Sequence, residues 1–331
     1  MALHMIENSL GTLKKCFLLA GLGALVALGT PAVAQQRSVA VTSVIEHPAL
    51  DAVRDGVKEA LEAAGYTDGK NLRWQYQTAQ GNVGTAAQIA RKFVGDKPDV
   101  IVAISTPSAQ TMLSTTKDIP IVFSAITDPI GAKLVAGWEP SGTNMTGVSN
   151  MLEVNRQVDL ILQIAPDAKR VGVVYNPAEA NSVYYVRQLQ ELLPSRGMTL
   201  VTAAAPRTVD VGAAGRSLVG KIDVFYSVSD NNVVASFETL AKVAENAKIP
   251  LIASDPNCVE RGAAASLGVD YKELGIQTGK MVLRILNGEK PGDIKPEIGQ
   301  NLELVLNLKA AQGQGVTFSQ ELLDQANRII Q

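Results

Sequence analysis

The sequence predicts an α/β protein of two lobes, each a parallel sheet flanked by helices. Three observations carry that expectation. Short apolar runs such as 99–104 (DVIVAI) and Arg170–Tyr175 (RVGVVY) alternate with helix-period stretches. At 331 residues the chain exceeds one ordinary core and suits two domains of roughly 110–150 residues. Between Trp138 and Asn150 (WEPSGTNMTGVSN) the alternation stops in a polar, Gly-, Ser-, Thr- and Asn-rich stretch that reads as a linker.

Residues 1–34 stand apart from the fold. Lys14 and Lys15 precede an apolar run from Cys16 to near Leu28, and Pro31-Ala32-Val33-Ala34 follows. A basic flank, a short apolar segment and an Ala-x-Ala end make a secretory signal, expected to be cleaved after Ala34. A membrane-spanning helix needs about 20 apolar residues, and this run is shorter and glycine-rich. Cys16 opens the run instead of sitting at the cleavage point, which argues against a lipoprotein. The exported chain keeps one cysteine, Cys258, so it forms no internal disulfide. Cys258 has no histidine near it in sequence and reads as a small packed residue.

In the exported chain, 38–45 (SVAVTSVI) reads as a strand and 46–51 as a loop. Val53, Val57, Ala60, Leu61 and Ala64 then recur at helical spacing up to Gly65. Residues 71–77 alternate as a strand, 83–94 form an amphipathic helix, and 99–104 are a wholly apolar strand. Ser105 to Ser108 cap a helix that reaches Thr116, with Pro107 in its first turn. The strand 119–124 runs into Ser124, Ala125, Thr127 and Asp128. Hydroxyls and a carboxylate directly after a parallel strand stand at the sheet's carboxyl edge, where open α/β sheets hold ligands.

A second series follows the linker. Helices are expected over 153–165, 183–193, Val211–Leu218 and 233–247, and strands over Arg170–Tyr175, 198–203, 224–228 and 250–253. A strand at 263–269, a helix at 272–287 ended by Gly288, a strand at 302–308 and a helix at 320–330 complete the chain. Short loops between such elements make parallel βαβ units with right-handed crossovers. The strands end in one vocabulary: Ser105-Thr106, Ser124 to Asp128, Asn176, Asp230-Asn231 and Ser254-Asp255. Any one of these serves equally well as a helix N-cap. Two series that turn such edges toward one cleft make a binding protein.

Other chemistries lack their residues. A net charge of −2 offers no basic surface for nucleic acid. The exported chain has no phosphate loop, Rossmann fingerprint, G-x-S-x-G elbow or H-E-x-x-H. The two histidines are His4, in the signal, and His47. One histidine and one cysteine do not assemble a transition-metal site, and a nucleophile would lack its base. The spacing of Asp128, Asp230 and Asp255 does not favour proton transfer over holding a cation. No enzyme activity, cofactor, metal or catalytic residue is expected.

Several runs match a known family in order: His47-Pro48-Ala49-Leu50-Asp51, Asn71, Ala79-Gln80-Gly81, Thr106-Pro107 and 120–129 (PIVFSAITDP). Asn144-x-Thr146-Gly147-Val148-Ser149, Tyr175-Asn176-Pro177-x-Glu179-x-Asn181-Ser182 and Asp270-Tyr271-x-x-x-Gly275 continue the match. The chain resembles the type I periplasmic solute-binding proteins of ABC importers. Within them it is similar to the subfamily whose best-known members bind tryptophan or tyrosine. The match spans essentially the whole exported chain and is specific through its ordered combination.

The resemblance implies two lobes joined by three crossover hinge strands, with Asn144 to Ser149 one of them. Residues 37–147 and 266–302 would form one lobe, 148–265 and 303–331 the other. It implies a periplasmic monomer that captures a small zwitterion, an amino acid with aromatic ones favoured. The partner would be a membrane permease with its cytoplasmic ATPase. Ser105, Thr106, Ser108, Ser124, Ala125 and Thr127 would hold a carboxylate, with Asp128 beside them. The loop carrying Ser43, Glu46 and Leu50 would cover the ligand. Asn181, Ser182, Asp230 and Asp255 would face it from the second lobe, Asp230 or Asp255 pairing an ammonium. Helix N-termini after Thr106 and Asn181 would add partial positive charge. Phe123, Tyr184, Tyr185 and Tyr226 are the candidates to meet a ring. Two readings remain beside this one: a sensor presenting its solute to a membrane receptor, and a binder of a nucleoside or other solute. An intracellular repressor of this fold is opposed by the export signal and by the lack of an N-terminal DNA-reading helix pair.

Overall fold

Apolar, β-branched runs without polar alternation suit strands covered on both faces. In the computed structural model, which describes residues 36–331, β3 (Val100–Ile104) and β4 (Ile121–Ile126) are such runs, and they share a sheet with β1 (Arg37–Ser43), the alternating β2 (Leu72–Thr78) and the more polar β5 (Met145–Ser149). They pair in parallel in the order β2-β1-β3-β4-β5. Helices α1 (Pro48–Ala63), α2 (Val83–Asp96) and α3 (Thr106–Thr115) connect them. Each starts where local chemistry favours it: Pro48 opens α1, and Asn82 caps α2 by accepting the Thr85 N–H at 3.0 Å.

The second sheet repeats the plan. β6 (Arg170–Tyr175), β7 (Thr199–Ala204), β8 (Val224–Ser227), β9 (Leu251–Ala253) and β10 (Ala265–Val269) lie in parallel in the order β10-β9-β8-β6-β7. The helices are α4 (Val154–Ile164), α5 (Ala180–Leu192), α6 (Val211–Leu218), α7 (Asn231–Ala235) and α8 (Phe237–Ala247). Phe225 and Phe237 are fully buried between this sheet and its helices, as Phe93 and Phe123 are on the first.

After β10 the chain returns to the first sheet. Helix α9 (Tyr271–Leu286) lies along α1 so closely that a Cβ on Gly56 would strike the Lys272 carbonyl oxygen, and one on Gly275 that of Val53. β11 (Glu297–Ile298) adds to β5, and the chain crosses again to β12 (Leu302–Asn307), antiparallel to β10. Helices α10 (Leu308–Gly313) and α11 (Gln320–Gln325) lead to β13 (Arg328–Ile330), which pairs with β12. The chain thus passes between the sheets after Ser149, after Val269 and after Ile298. The lobe boundaries expected at 147/148 and 265/266 fall inside β5 and β10, and that at 302/303 at the start of β12.

The helix expected over 233–247 is broken at Ser236 into α7 and α8, and β11 and α10 were not expected; two further differences have a plain physical reason. The stretch read as a linker contains β5, buried along its length. Its polar residues tolerate burial because carbonyls receive their hydroxyls: Thr146 Oγ1 donates to Ile294 O at 2.9 Å and Ser149 Oγ to Thr127 O at 3.2 Å. The terminal helix expected over 320–330 stops at Gln325, because the last residues find an open edge on β12. The signal segment and Ala34 lie outside the described residues.

Candidate functional site

Parallel sheets present the ends of all their strands on one side, and here the two carboxyl edges share a cavity. From the first sheet come Ser105 and Thr106 after β3, Ala125 and Thr127 at the end of β4, and Asn150 after β5. His47 and Leu50 enter from the start of α1. The second sheet contributes Asn181 at the start of α5, Ser229, Asp230, Asn231 and Val234 after β8, Asp255 after β9 and Tyr271 after β10. The space between these walls that atoms do not fill, its solvent-open part included, is about 340 Å³.

The wall from the first sheet is strained and electropositive. Ser105 and Ala125 hold φ of +80° and +55°, a region that residues with a Cβ rarely occupy. Such strain persists where surrounding structure imposes it and gathers at ligand sites. Ser105 ends β3 and aims the N-terminus of α3 at the cavity; no acidic residue stands in that helix's first turn and no side chain caps it. Its backbone N–H groups leave partial positive charge there.

The opposite wall is acidic. Asp230 Oδ2 accepts the Asn176 N–H and the Ser182 hydroxyl, each at 2.6 Å, while Oδ1 caps α7 through the Val233 N–H at 2.9 Å. Asp255 Oδ1 accepts from Asn257 through its N–H at 2.9 Å and its Nδ2 at 3.0 Å. Burial pushes both carboxyls up from their ordinary range. Behind Asp230, the buried Glu179 is pushed up to about 7 by desolvation and by the Asp230 charge. His47 is held neutral: burial, then the Arg261 cation, lower it to about 3, against a contact with Asn231 that raises it.

Buried polar atoms normally find partners. Among the described residues, His47 Nδ1, Thr106 Oγ1 and Asn181 Oδ1 are buried without one, and all three belong to residues that line the cavity. They come from both walls and offer a hydroxyl, an imidazole nitrogen and an amide oxygen to whatever enters. The buried Cys258 thiol faces the Asp255 carboxylate, and burial and that carboxylate push it up, so it stays protonated.

Among the residues expected at the site, Leu50, Ser105, Thr106, Ala125, Thr127, Asn181, Asp230 and Asp255 line the cavity. The others stand behind or beside it. Ser43 Oγ bonds Tyr76 Oη at 2.8 Å, Ser108 Oγ bonds Ser105 Oγ at 3.3 Å, and Ser124 Oγ bonds Thr278 Oγ1 at 2.7 Å. Asp128 closes a turn by accepting the Gly131 N–H at 2.8 Å, and Glu46 is exposed. Ser182 supports Asp230. The aromatic candidates do not reach the cavity: Phe123 fills the first core, Tyr185 Oη accepts the Leu152 N–H at 3.2 Å, and Tyr226 Oη donates to Gln157 at 3.1 Å. Tyr184 packs edge-on against Tyr185 with ring centres 5.4 Å apart. The rings that do line the cavity belong to His47 and Tyr271. Asn150 and Tyr271 were missed because they sit where the chain crosses between sheets; Asn150 Nδ2 donates to Tyr271 Oη at 2.9 Å and ties two crossings together.

Residues 38–330 match the family described as ABC transporter substrate binding protein. This chain belongs to that family. Substrate-binding proteins capture a solute and present it to the transporter's permease; they are not enzymes, and they are exported. A relative called tyrosine-binding protein, from Clostridioides difficile, is 40% identical over 82% of this chain and 79% of its own. The structure of an ABC domain in complex with L-Trp, from Streptococcus pneumonia, has a TM-score of 0.86 at 32% identity, over 89% of this chain and 100% of that one. A ligand-free, open substrate binding protein with adhesive properties, from Clostridium difficile, scores 0.67 at 39% identity, over 89% and 99%. The substrate-binding protein described here therefore has the two-sheet architecture of type I periplasmic binding proteins.

Proposed function

We propose that this protein binds a free amino acid, with aromatic side chains favoured, between its two sheets. The observation that carries the reading is the unlike character of the facing walls. A helix N-terminus without an acidic residue stands on one side, and the buried carboxyls Asp230 and Asp255 stand on the other. A zwitterion satisfies both: its carboxylate meets the α3 N-terminus and Thr106 Oγ1, its ammonium meets Asp230 and Asn181 Oδ1. The N-terminus of α5 is the poorer anion site, since Glu179 at its cap already opposes its dipole. Leu50, Val234 and the rings of His47 and Tyr271 offer the side chain an apolar surround. The names of the tyrosine-binding and L-Trp-bound relatives support the same ligand class.

We place one lobe at residues 37–150 and 270–300 and the other at 151–269 and 301–331, with the three crossings as hinge. Similarity to the L-Trp complex exceeds that to the open structure although sequence identity runs the other way, which supports a closed setting of the lobes. The protein would act in the periplasm as a monomer, its signal cleaved after Ala34. A thermal-shift panel of amino acids, nucleosides and small peptides tests the ligand class, because a ligand raises stability by RT ln(1 + [L]/Kd). An upshift with L-tyrosine or L-tryptophan is expected; silence from every amino acid and a shift with a nucleoside would overturn it.

A further inference from the structure

One of the two polar atoms of the Asn181 amide is free to meet a ligand, and which one decides what the site can read. Asn181 Nδ2 donates to Glu179 Oε2 at 2.9 Å and to the Ser229 carbonyl at 2.7 Å. Turned over, the amide would set its oxygen against a carboxylate and a carbonyl, acceptor against acceptor. Oδ1 is accordingly the atom left buried without a partner. The same carboxylate oxygen holds a second cavity residue, Asn231, through its Nδ2 at 2.5 Å and its backbone N–H at 3.2 Å. Glu179 itself does not line the cavity.

We propose that Glu179 is a positioning residue: by holding the nitrogens of the Asn181 and Asn231 amides, it keeps the unpartnered Asn181 oxygen on the cavity wall that carries Asp230 and so selects ligands that carry a primary ammonium. This rests on the amino-acid reading above. The wall so built offers acceptors, and a ligand without donors leaves them unpaired at a cost. Asn176 joins the two acids, its backbone N–H on Asp230 at 2.6 Å and its Nδ2 on Glu179 at 3.4 Å. Two neighbouring buried carboxyls disfavour each other's charge, and an ammonium relieves that. Ammonium binding then favours the ionised Glu179, so affinity declines as pH falls below about 7, the value to which Glu179 is raised. The other titratable groups facing this region are Asp230, Asp255, His47 and Tyr271, with the Arg261 cation acting on His47 and Asp255.

The test compares Kd for L-tyrosine with Kd for 3-(4-hydroxyphenyl)propionate, its deamino analogue, at pH 6 and pH 8. The wild type is expected to prefer the amino acid, more strongly at pH 8. E179Q, whose amide no longer dictates which way Asn181 turns, is expected to lose about ten- to hundredfold of that preference and most of its pH dependence. A merely structural role for Glu179 would weaken both ligands alike and leave the preference and its pH dependence unchanged. If E179Q does not fold, E179D serves: it keeps the charge and suits a helix N-cap but withdraws the carboxylate by one methylene, and a partial loss is expected. Undiminished preference in E179Q, or in E179D where that is the variant measured, overturns the proposal. A wild type with no preference for the amino acid overturns it too, and by a distinct result, through the ligand reading beneath it.

Discussion

The Ser182 hydroxyl donates to Asp230 Oδ2 across 2.6 Å, joining the start of α5 to the loop after β8. Ser182 is fully buried and does not line the cavity, so its role passes through Asp230. Ser182→Ala removes a donor from a buried carboxylate and should cost about 1–3 kcal/mol of stability, read by urea unfolding. An unchanged midpoint and slope would mean that the remaining donors suffice.

Asp230→Asn keeps the volume and an oxygen for the α7 cap while removing the charge. If Asp230 pairs the ligand's ammonium, amino-acid affinity should fall by about 2–4 kcal/mol in calorimetric titration. Wild-type affinity would leave Asp230 as a helix cap alone.

Gly147 lies in the middle of β5, where a Cβ would strike the carbonyl oxygen and ring of Phe123. Gly147→Ala should therefore destabilise the protein by about 1–3 kcal/mol through overpacking. The readout is thermal unfolding; a neutral substitution would show that β5 can move away from β4.

The lowered pKa of His47 makes a signed prediction. The folded protein keeps His47 neutral down to about 3, whereas the unfolded chain takes up a proton near 6.5. Its stabilising effect is complete above 6.5 and is lost as pH falls toward 3. Glu179, raised to about 7, acts oppositely, losing stability as pH rises from 4.5. The comparison is therefore with His47→Asn: between pH 7 and pH 5 the variant should gain about 2 kcal/mol relative to wild type in urea unfolding. A difference that does not change with pH contradicts a buried neutral imidazole.

Much of this architecture was legible in the chain. The apolar continuity of β3 and β4 marks strands buried on both faces, and Thr106, Asn181, Asp230 and Asp255 follow strands where ligand edges form. What was hidden depends on tertiary partners. The glycine, threonine and serine of β5 look like loop until their hydroxyls meet Ile294 and Thr127. Tyr185 and Tyr226 have the same composition cue as Tyr271, yet of these three only Tyr271, at the crossing after β10, brings its ring to the cavity. Strand β13 needs the edge of β12, which local pattern cannot announce.

The most direct measurement is calorimetric titration of the exported chain, freed of ligand by unfolding and refolding, with L-tyrosine and L-tryptophan. Saturable heat at one molecule per chain, abolished or weakened in Asp230→Asn, is the result expected from two walls of opposite character closing on a zwitterion. Absence of heat with every amino acid, alongside saturable binding of an uncharged solute, would contradict it.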